Sequence, residues 1–307
     1  MQKRRFGRTD LMVSPLGFGG AEIGFLDIPE TQIATVLNRF LDLGANVIDT
    51  AAMYRESERL IGRAIGHRRD EFVLISKCGT PVPDLDEPDF SPALITKTVD
   101  RALANLGTDR LDVMLLHSCE RDVLERGDAL AALVAARDAG KVRFVGYSGD
   151  HETAAYAAGL LDVAVIQTSV NICDQRNIDV VLPVCRANDV GVMAKRPIAN
   201  AAWKDLDTQP GMYSNYAATY TARLKRMGLT PKSCGVDDAW ASFALRFTLA
   251  QPGVHTAIIG TTNAAHVEGN VRAATAPALD AGVVAKVRAS FRVAEAAAED
   301  GPWTGQR

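Results

Sequence analysis

The chain has little with which to build a cross-linked or metal-held fold. Its 307 residues include five cysteines: Cys78, Cys119, Cys173, Cys185 and Cys234. They are odd in number, far apart and free of any CxxC pair. This argues against a disulfide framework or a zinc site and fits a reducing compartment. Charge of one sign is not in excess, since 34 Lys and Arg stand against 37 Asp and Glu for a net −3. No bulk field therefore recruits nucleic acid or an anionic membrane. No run of about 18 apolar residues occurs, which excludes a membrane-spanning helix. The opening MQKRRFGRTDLMVSP is basic but lacks the apolar centre of a signal peptide. The expected location is the cytoplasm. No Pro/Gly/Ser linker or shift of composition divides the chain, so one domain over 1–307 is expected. A chain of this size buries about 75% of its unfolded surface without staples. With 47% hydrophobic and 23% charged residues, it is ordinary globular material rather than a disordered or fibrous one.

What is present is an alternation. Short apolar runs occur at 14–20, 46–49, 72–77, 111–117, 142–148, 163–169, 191–196 and 255–260. They are nearly continuous in apolar residues, as strands covered on both faces should be. Helical patterns separate them. Ile33, Val36, Leu37, Phe40 and Leu41 fall on one helical face before Gly44. Ser91-Pro92 offers an N-cap and an N1 proline to a helix carrying Ile95, Val99, Leu103 and Leu106. Leu130, Leu133 and Val134 precede Gly140 in the same way. Eight strands alternating with helices predict an α/β fold of the (β/α)8 TIM-barrel type, with a doubly wound open sheet as the rival. Residues 4–13 predict an N-terminal hairpin under the barrel. The stretch 198–234 is too long for a simple connection and predicts a functional loop holding a helix. Residues 280–298 predict an extra C-terminal helix.

In a barrel, chemistry gathers at the C-terminal ends of the strands. Those ends read Gly19-Gly20, Asp49, Lys77, His117, Ser148, Gln167, Lys195-Arg196 and Gly260-Thr261-Thr262, with Tyr54 just past the second run. Each alone has an ordinary explanation: Asp49 as an N-cap, Lys77 at the surface, His117 as a satisfied buried histidine, Tyr54 as a loop anchor. A carboxylate, a lysine, a histidine and a tyrosine converging on one rim is not what packing would place there. The glycine-rich LGFGGAEIG at 16–24 lacks the third glycine of a dinucleotide fingerprint and reads as a close-approach turn. Met53, Trp203, Tyr213 and Tyr216 are expected to line or cover a pocket, and Cys78 and Cys119 to be small buried fillers.

The segments NVIDTAAMYRESERLIGRAI (46–65), ISKCG (75–79), LDVMLLH (111–117), VGYSGD (145–150), VIQTSVNICDQ (165–175) and AIIGTTNAAHVEGNV (257–271) carry a resemblance. The chain is similar to the aldo-keto reductases over about residues 2–275. The resemblance implies a (β/α)8 barrel and an NAD(P)-dependent oxidoreductase acting on an aldehyde, ketone or sugar hydroxyl. It also implies a catalytic tetrad of Asp49, Tyr54, Lys77 and His117. Such residues suit carbonyl reduction, which needs a hydride at carbon and a proton at oxygen. A tyrosine at its ordinary pKa of about 10 is a weak acid at neutral pH. A lysine ammonium about 4 Å away is worth roughly 4 kcal/mol, so the expectation is that Lys77 lowers the phenol by about two to three pKa units. Asp49 would orient Lys77, and His117 would donate to the carbonyl oxygen.

For the cofactor, the resemblance implies contacts from Gly20, Ala21, Asp49, Ser148 and Gln167, although Gly149 stands where many members have asparagine. Lys195 and Arg196, followed by Pro197 and Ile198, occupy the place where the family often stacks an aromatic on nicotinamide. Gly260, Thr261, Thr262 and Asn263 open a helix that favours a phosphate, with His266 one turn in and Asn270 at an adenine-contacting position. No lysine or arginine stands at the two places where members that prefer NADP often carry one; these hold Gly260 and His266. NADP is expected ahead of NAD by a modest margin, with no metal. Partners are expected to be a small carbonyl or sugar substrate, with no nucleic acid and no membrane. Two alternatives stay open: a lyase in which Lys77 forms a Schiff base, and a cofactor-sensing subunit of the same fold associated with a membrane channel.

Overall fold

Each of the eight apolar runs becomes a parallel strand, and the strands close on themselves. The computed structural model describes residues 1–209, 211–299 and 301–305, with 211–215 described by backbone only. Strands β1 (Arg4–Arg5) and β2 (Met12–Val13) form the expected antiparallel hairpin, pairing Arg4 with Val13. The barrel strands are β3 (Leu16–Gly19), β4 (Val47–Asp49), β5 (Val73–Cys78), β6 (Leu111–His117), β7 (Val142–Ser148), β8 (Val163–Ser169), β9 (Gly191–Lys195) and β10 (Thr256–Ile259). Neighbours follow chain order, and β10 closes the ring by pairing with both β3 and β9. The open-sheet alternative is thereby excluded.

Strand residues alternate between two apolar environments, because successive side chains point to opposite faces. Val47, Ile75, Val113, Leu115, Val165 and Met193 fill the barrel interior, where Phe6 from the hairpin joins them from below. Ile48, Leu74, Met114, Leu116, Ile166 and Val192 face outward into the layer shared with the helices. The helix Glu30–Asp42 buries Ile33, Val36, Leu37, Phe40 and Leu41 in that layer. Pro92–Leu106 starts as expected, with Ser91 Oγ accepting from the Leu94 N–H at 3.2 Å. A third apolar cluster joins Tyr220, Phe243, Phe247, Phe291 and Trp303, fastening the long 198–234 segment and the tail to the barrel. That segment contains the helix Gly211–Met227, and the extra C-terminal helix is Ala281–Ala296.

The glycine-rich run is a close-approach turn. A Cβ on Gly17 would sit 2.8 Å from Ile258 Cγ2, and one on Gly20 would sit 2.9 Å from the Asp49 carbonyl oxygen. All five cysteines are buried and unpaired. Among the described residues no helix is long and apolar enough to cross a membrane.

Candidate active site

Two residues beyond the interior layer, at the C-terminal mouth, the apolar pattern turns polar. Asp49 stands above Val47, Lys77 above Ile75, His117 above Leu115, Ser148 above Gly146, Gln167 above Val165 and Lys195 above Met193. The same period of two that packs the core therefore aims these six side chains into one ring. Tyr54 comes from the loop after β4, held by a turn in which its N–H donates to the Ala51 carbonyl at 2.9 Å.

Lys77 Nζ donates to both carboxylate oxygens of Asp49 at 2.8 Å and to the Thr50 carbonyl at 2.7 Å. The ammonium lies 5.0 Å from the centre of the Tyr54 ring. The Tyr54 ring in turn meets His117 edge to face at 5.9 Å and Phe25 at 5.7 Å. Ser148 Oγ donates to Gln167 Oε1 at 2.8 Å, and Gln167 Nε2 donates to Asp49 Oδ1 at 3.1 Å. The order of donors and acceptors sets the orientation of the glutamine amide.

Burial lowers the pKa of Lys77, but Asp49 and Tyr54 outweigh it, so the lysine ends above its ordinary value. Burial also raises the Asp49 carboxyl, against Lys77 and Gln167. His117 is driven well below the usual imidazole range by burial, then by the ammonium groups of Lys77 and Lys195. Tyr54 corrects the expectation drawn from charge alone. Its phenol is raised, because burial outweighs the lowering by Lys77. The 4 Å Coulomb argument left out the cost of taking a phenolate out of water. In this environment Tyr54 keeps its proton at neutral pH.

Opposite these groups, Lys195 Nζ pairs with Asp150 at 3.1 Å. Arg196 Nη1 donates to Ser169 Oγ at 2.8 Å and Nε to the Tyr216 hydroxyl at 2.8 Å, with the guanidinium 4.9 Å from the Tyr216 ring centre. Asp150 also accepts from the Ser169 N–H at 2.7 Å and from Asn177 Nδ2 at 2.8 Å. Burial would raise its carboxyl, but Lys195, Ser169 and Arg196 hold it far below the usual range. Sequence reasoning passed over Asp150 as a site residue. The available signal was its place as the N-cap before the helix His151–Ala158, two residues beyond the end of β7.

These side chains surround a cavity of about 430 Å³ at the mouth, lined by Asp49, Tyr54, His117, Ser148, Gln167 and Lys195 together with Arg196, Pro197 and Ala21. Met53 and Tyr216 line it as expected, as do Thr80, Ser118 and Asn200, which were not anticipated. Lys77 stands behind Tyr54 and Asp49 rather than on the wall. A second space of about 790 Å³ holds Thr261, His266, Asn270, Trp203, Trp240 and Arg272. The two indoles are stacked with planes 3° apart and centres 5.5 Å apart. Ile198, Ile259 and Gly260 border both spaces, so the two adjoin along a groove over these residues.

Three of the anticipated cofactor residues are not on its walls. Gly20 donates its N–H to the Asp49 carbonyl at 2.7 Å, Thr262 gives its carbonyl to Gln32 Nε2 at 2.7 Å, and Asn263 caps the helix Ala264–Thr275 through the Ala265 N–H at 2.9 Å. The side chain of Tyr213 lies outside the described residues. Gly149 has a packing reason: a Cβ there would lie 2.3 Å from the Tyr147 hydroxyl, which donates to the Cys119 carbonyl at 2.8 Å. Cys78 and Cys119 are buried fillers, the Cys119 thiol pushed up to about 12 by burial.

The groove fits a dinucleotide. Its mouth offers an amide and a hydroxyl suited to a carboxamide, a helix N-terminus lies along it, and two stacked indoles border its far end. The buried Nδ1 of His117 has no hydrogen-bond partner among the described residues. That leaves Nε2 as the nitrogen available to the cavity.

The class of protein, a nicotinamide-dependent oxidoreductase, is given by comparison with known proteins. The sequence profile of the aldo/keto reductase family matches residues 15–291, and the chain belongs to that family. It is 26% identical over 291 residues to L-galactose dehydrogenase from Arabidopsis thaliana, covering 90% of this chain and 88% of that protein. It is 30% identical to the NADH-specific methylglyoxal reductase of Escherichia coli, over 64% of this chain and 68% of that one. Among solved structures, a holo-form aldo-keto reductase from Bacillus halodurans superimposes with a TM-score of 0.80 at 26% identity, covering 94% of this chain and 96% of the other.

Proposed function

We propose that the protein reduces a small aldehyde, ketone or sugar carbonyl, or oxidises the corresponding hydroxyl, with Tyr54 as the general acid or base. A nicotinamide held by Ser148 and Gln167 would supply the hydride for the carbonyl carbon. Tyr54 gives its proton to the carbonyl oxygen, so the carbonyl becomes an alcohol and the charge balances. His117, kept neutral, donates from Nε2 to the same oxygen and stabilises negative charge as it builds there. Lys77 acts on Tyr54 from behind, and Asp49 holds Lys77. Ser148 and Gln167 would hold the carboxamide. Thr261, His266 and Asn270 would meet the adenosine half, with NADP ahead of NAD by a modest margin. Relatives named for L-galactose and for methylglyoxal support a small, polar substrate.

One observation carries this reading: the half-buried rings of Tyr54 and His117 meet edge to face on one wall of a cavity that adjoins the larger space beside Thr261 and Asn270. A Schiff base at Lys77 is disfavoured by its geometry. Its Nζ is buried and committed to three oxygens, so it has no free pair to attack a carbonyl. The test is turnover of a panel of carbonyls and sugars followed by nicotinamide absorbance. Tyr54→Phe should still bind cofactor but lose roughly 10²–10⁴ in kcat, the worth of a positioned general acid. No turnover of any member of the panel with either cofactor would favour a cofactor-sensing subunit instead. Near-full activity in Tyr54→Phe would refute the assignment.

A further inference from the structure

Lys195, whose ammonium is paired with Asp150, stands on the wall of the mouth across from the tyrosine. In the closed ring, β9 is four strands from β5 and therefore lies across the barrel from it. Lys77, Tyr54 and His117 occupy one side, and Lys195 the other. The groove toward Thr261 and Asn270 leaves the mouth over Ile198, Ile259 and Gly260, beside β9 and β10. A carbonyl held by Tyr54 and His117 thus has Lys195 and Gln167 on its far side, where a hydride donor entering along the groove arrives.

The two redox states of nicotinamide differ by one charge: the reduced ring is neutral and the oxidised ring is cationic. A fixed cation beside the ring has a charge–charge repulsion with only the oxidised one. We propose that Lys195 makes this site discriminate between the redox states of its cofactor, holding the neutral reduced ring in preference to the cationic oxidised one. The inference rests on the proposed nicotinamide site.

Asp150, 3.1 Å from Lys195 Nζ, opposes the effect. It does not cancel it. Lys195 lines the cavity whereas Asp150 does not, and Asp150 divides its charge among the Ser169 N–H, Thr168 Oγ1 and Asn177 Nδ2 at 2.7–2.9 Å. The field of Lys195 also reaches Asp49 and His117 across the mouth. The consequence lies in binding: the oxidised cofactor is released more readily and the reduced one competes better for the empty site, while the same charge opposes the positive charge that forms on the ring as hydride leaves.

The test compares dissociation constants of NADPH and NADP⁺, and of NADH and NAD⁺, by calorimetry. It uses the wild type, Lys195→Gln and Lys195→Arg, with circular dichroism as the folding control. Glutamine still donates to Asp150 but carries no charge. It should tighten the oxidised cofactor about tenfold, equivalent to about 1.4 kcal/mol, and change the reduced one less than about threefold. Lys195→Arg keeps the charge and should keep the wild-type ratio, so it reports on charge even if the glutamine variant folds poorly. A ratio that stays constant in Lys195→Gln, or both forms weakening in parallel, would overturn the proposal and leave Lys195 with a packing role. Failure of the wild type to bind either redox state would instead remove the nicotinamide site itself.

Discussion

Replacing Lys77 by methionine removes the cation from a carboxylate that is nearly inaccessible. Asp49 is 2% exposed, and in the variant it keeps Gln167 Nε2 at 3.1 Å as its side-chain donor. Stranding one member of a buried ion pair costs about 3–5 kcal/mol. The cost depends on pH in a definite direction. Burial already raises the Asp49 carboxyl with Lys77 present, and without the ammonium it rises further. A carboxyl whose folded pKa lies above its unfolded value binds protons more readily in the folded state. Its contribution is most favourable below the unfolded pKa of about 3.9 and is lost as pH rises through the folded one. Lys77→Met should therefore be destabilised most at pH 8 and progressively less toward pH 5, as read by urea midpoints across that range. Asp49→Asn in the same background removes the charge and should recover most of the stability without recovering turnover. Turnover should fall about as far as in Tyr54→Phe, and the double variant should be little worse than either single one, because groups acting as a unit are not additive. Equal destabilisation at both pH values, with no rescue by Asp49→Asn, would show that the pair is not the buried ionic unit described above.

Two further expectations follow from the same wall and groove. His117 has a folded pKa well below its unfolded value, so it contributes fully above about pH 6.5 and that contribution is lost as pH falls below it; the stability of the wild type should drop relative to His117→Gln between pH 7 and 5 in parallel denaturation curves, and a constant difference would contradict a neutral histidine. His266 lines the space proposed for the adenosine half with Thr261, its Nδ1 3.3 Å from Thr261 Oγ1; His266→Ala should narrow the proposed preference for NADP over NAD, measured as the ratio of kcat/KM values at pH 6, and an unchanged ratio would shift attention to Arg272.

The barrel was legible because its signals are local and repeated. Apolar runs such as LDVMLLH and VAVIQTS announce strands covered on both faces, and in six of the eight a polar residue at or near the end falls on the inward side by the period of two. Asp49, Lys77, His117, Ser148, Gln167 and Lys195 could therefore be read as the ends of strands before their distances were known. Gly20, Thr262 and Asn263 were less legible. A glycine or a capping residue looks the same in sequence whether its polar groups face a ligand or its own backbone, and here they are taken up by Asp49, Gln32 and Ala265.

The sequence by itself determined which polar residues stand at the strand ends, since side-chain alternation follows from the pattern of apolar positions. The closure of the strands into a ring, and with it the mouth, came from the tertiary structure. Tertiary structure decided what those residues are chemically. Tyr54 is raised rather than lowered because the surrounding chain removes water from it, a many-body effect that no pairwise reading of Lys77 contains. Lys195 acquires Asp150 as its counter-ion only when the segment after β7 comes beside the end of β9. Gly149 is required by a Tyr147 ring whose hydroxyl is anchored on Cys119, 28 residues away in the chain. Spacing along the chain selects which side chains meet, but their charge and acidity depend on how much water the assembled barrel leaves around them.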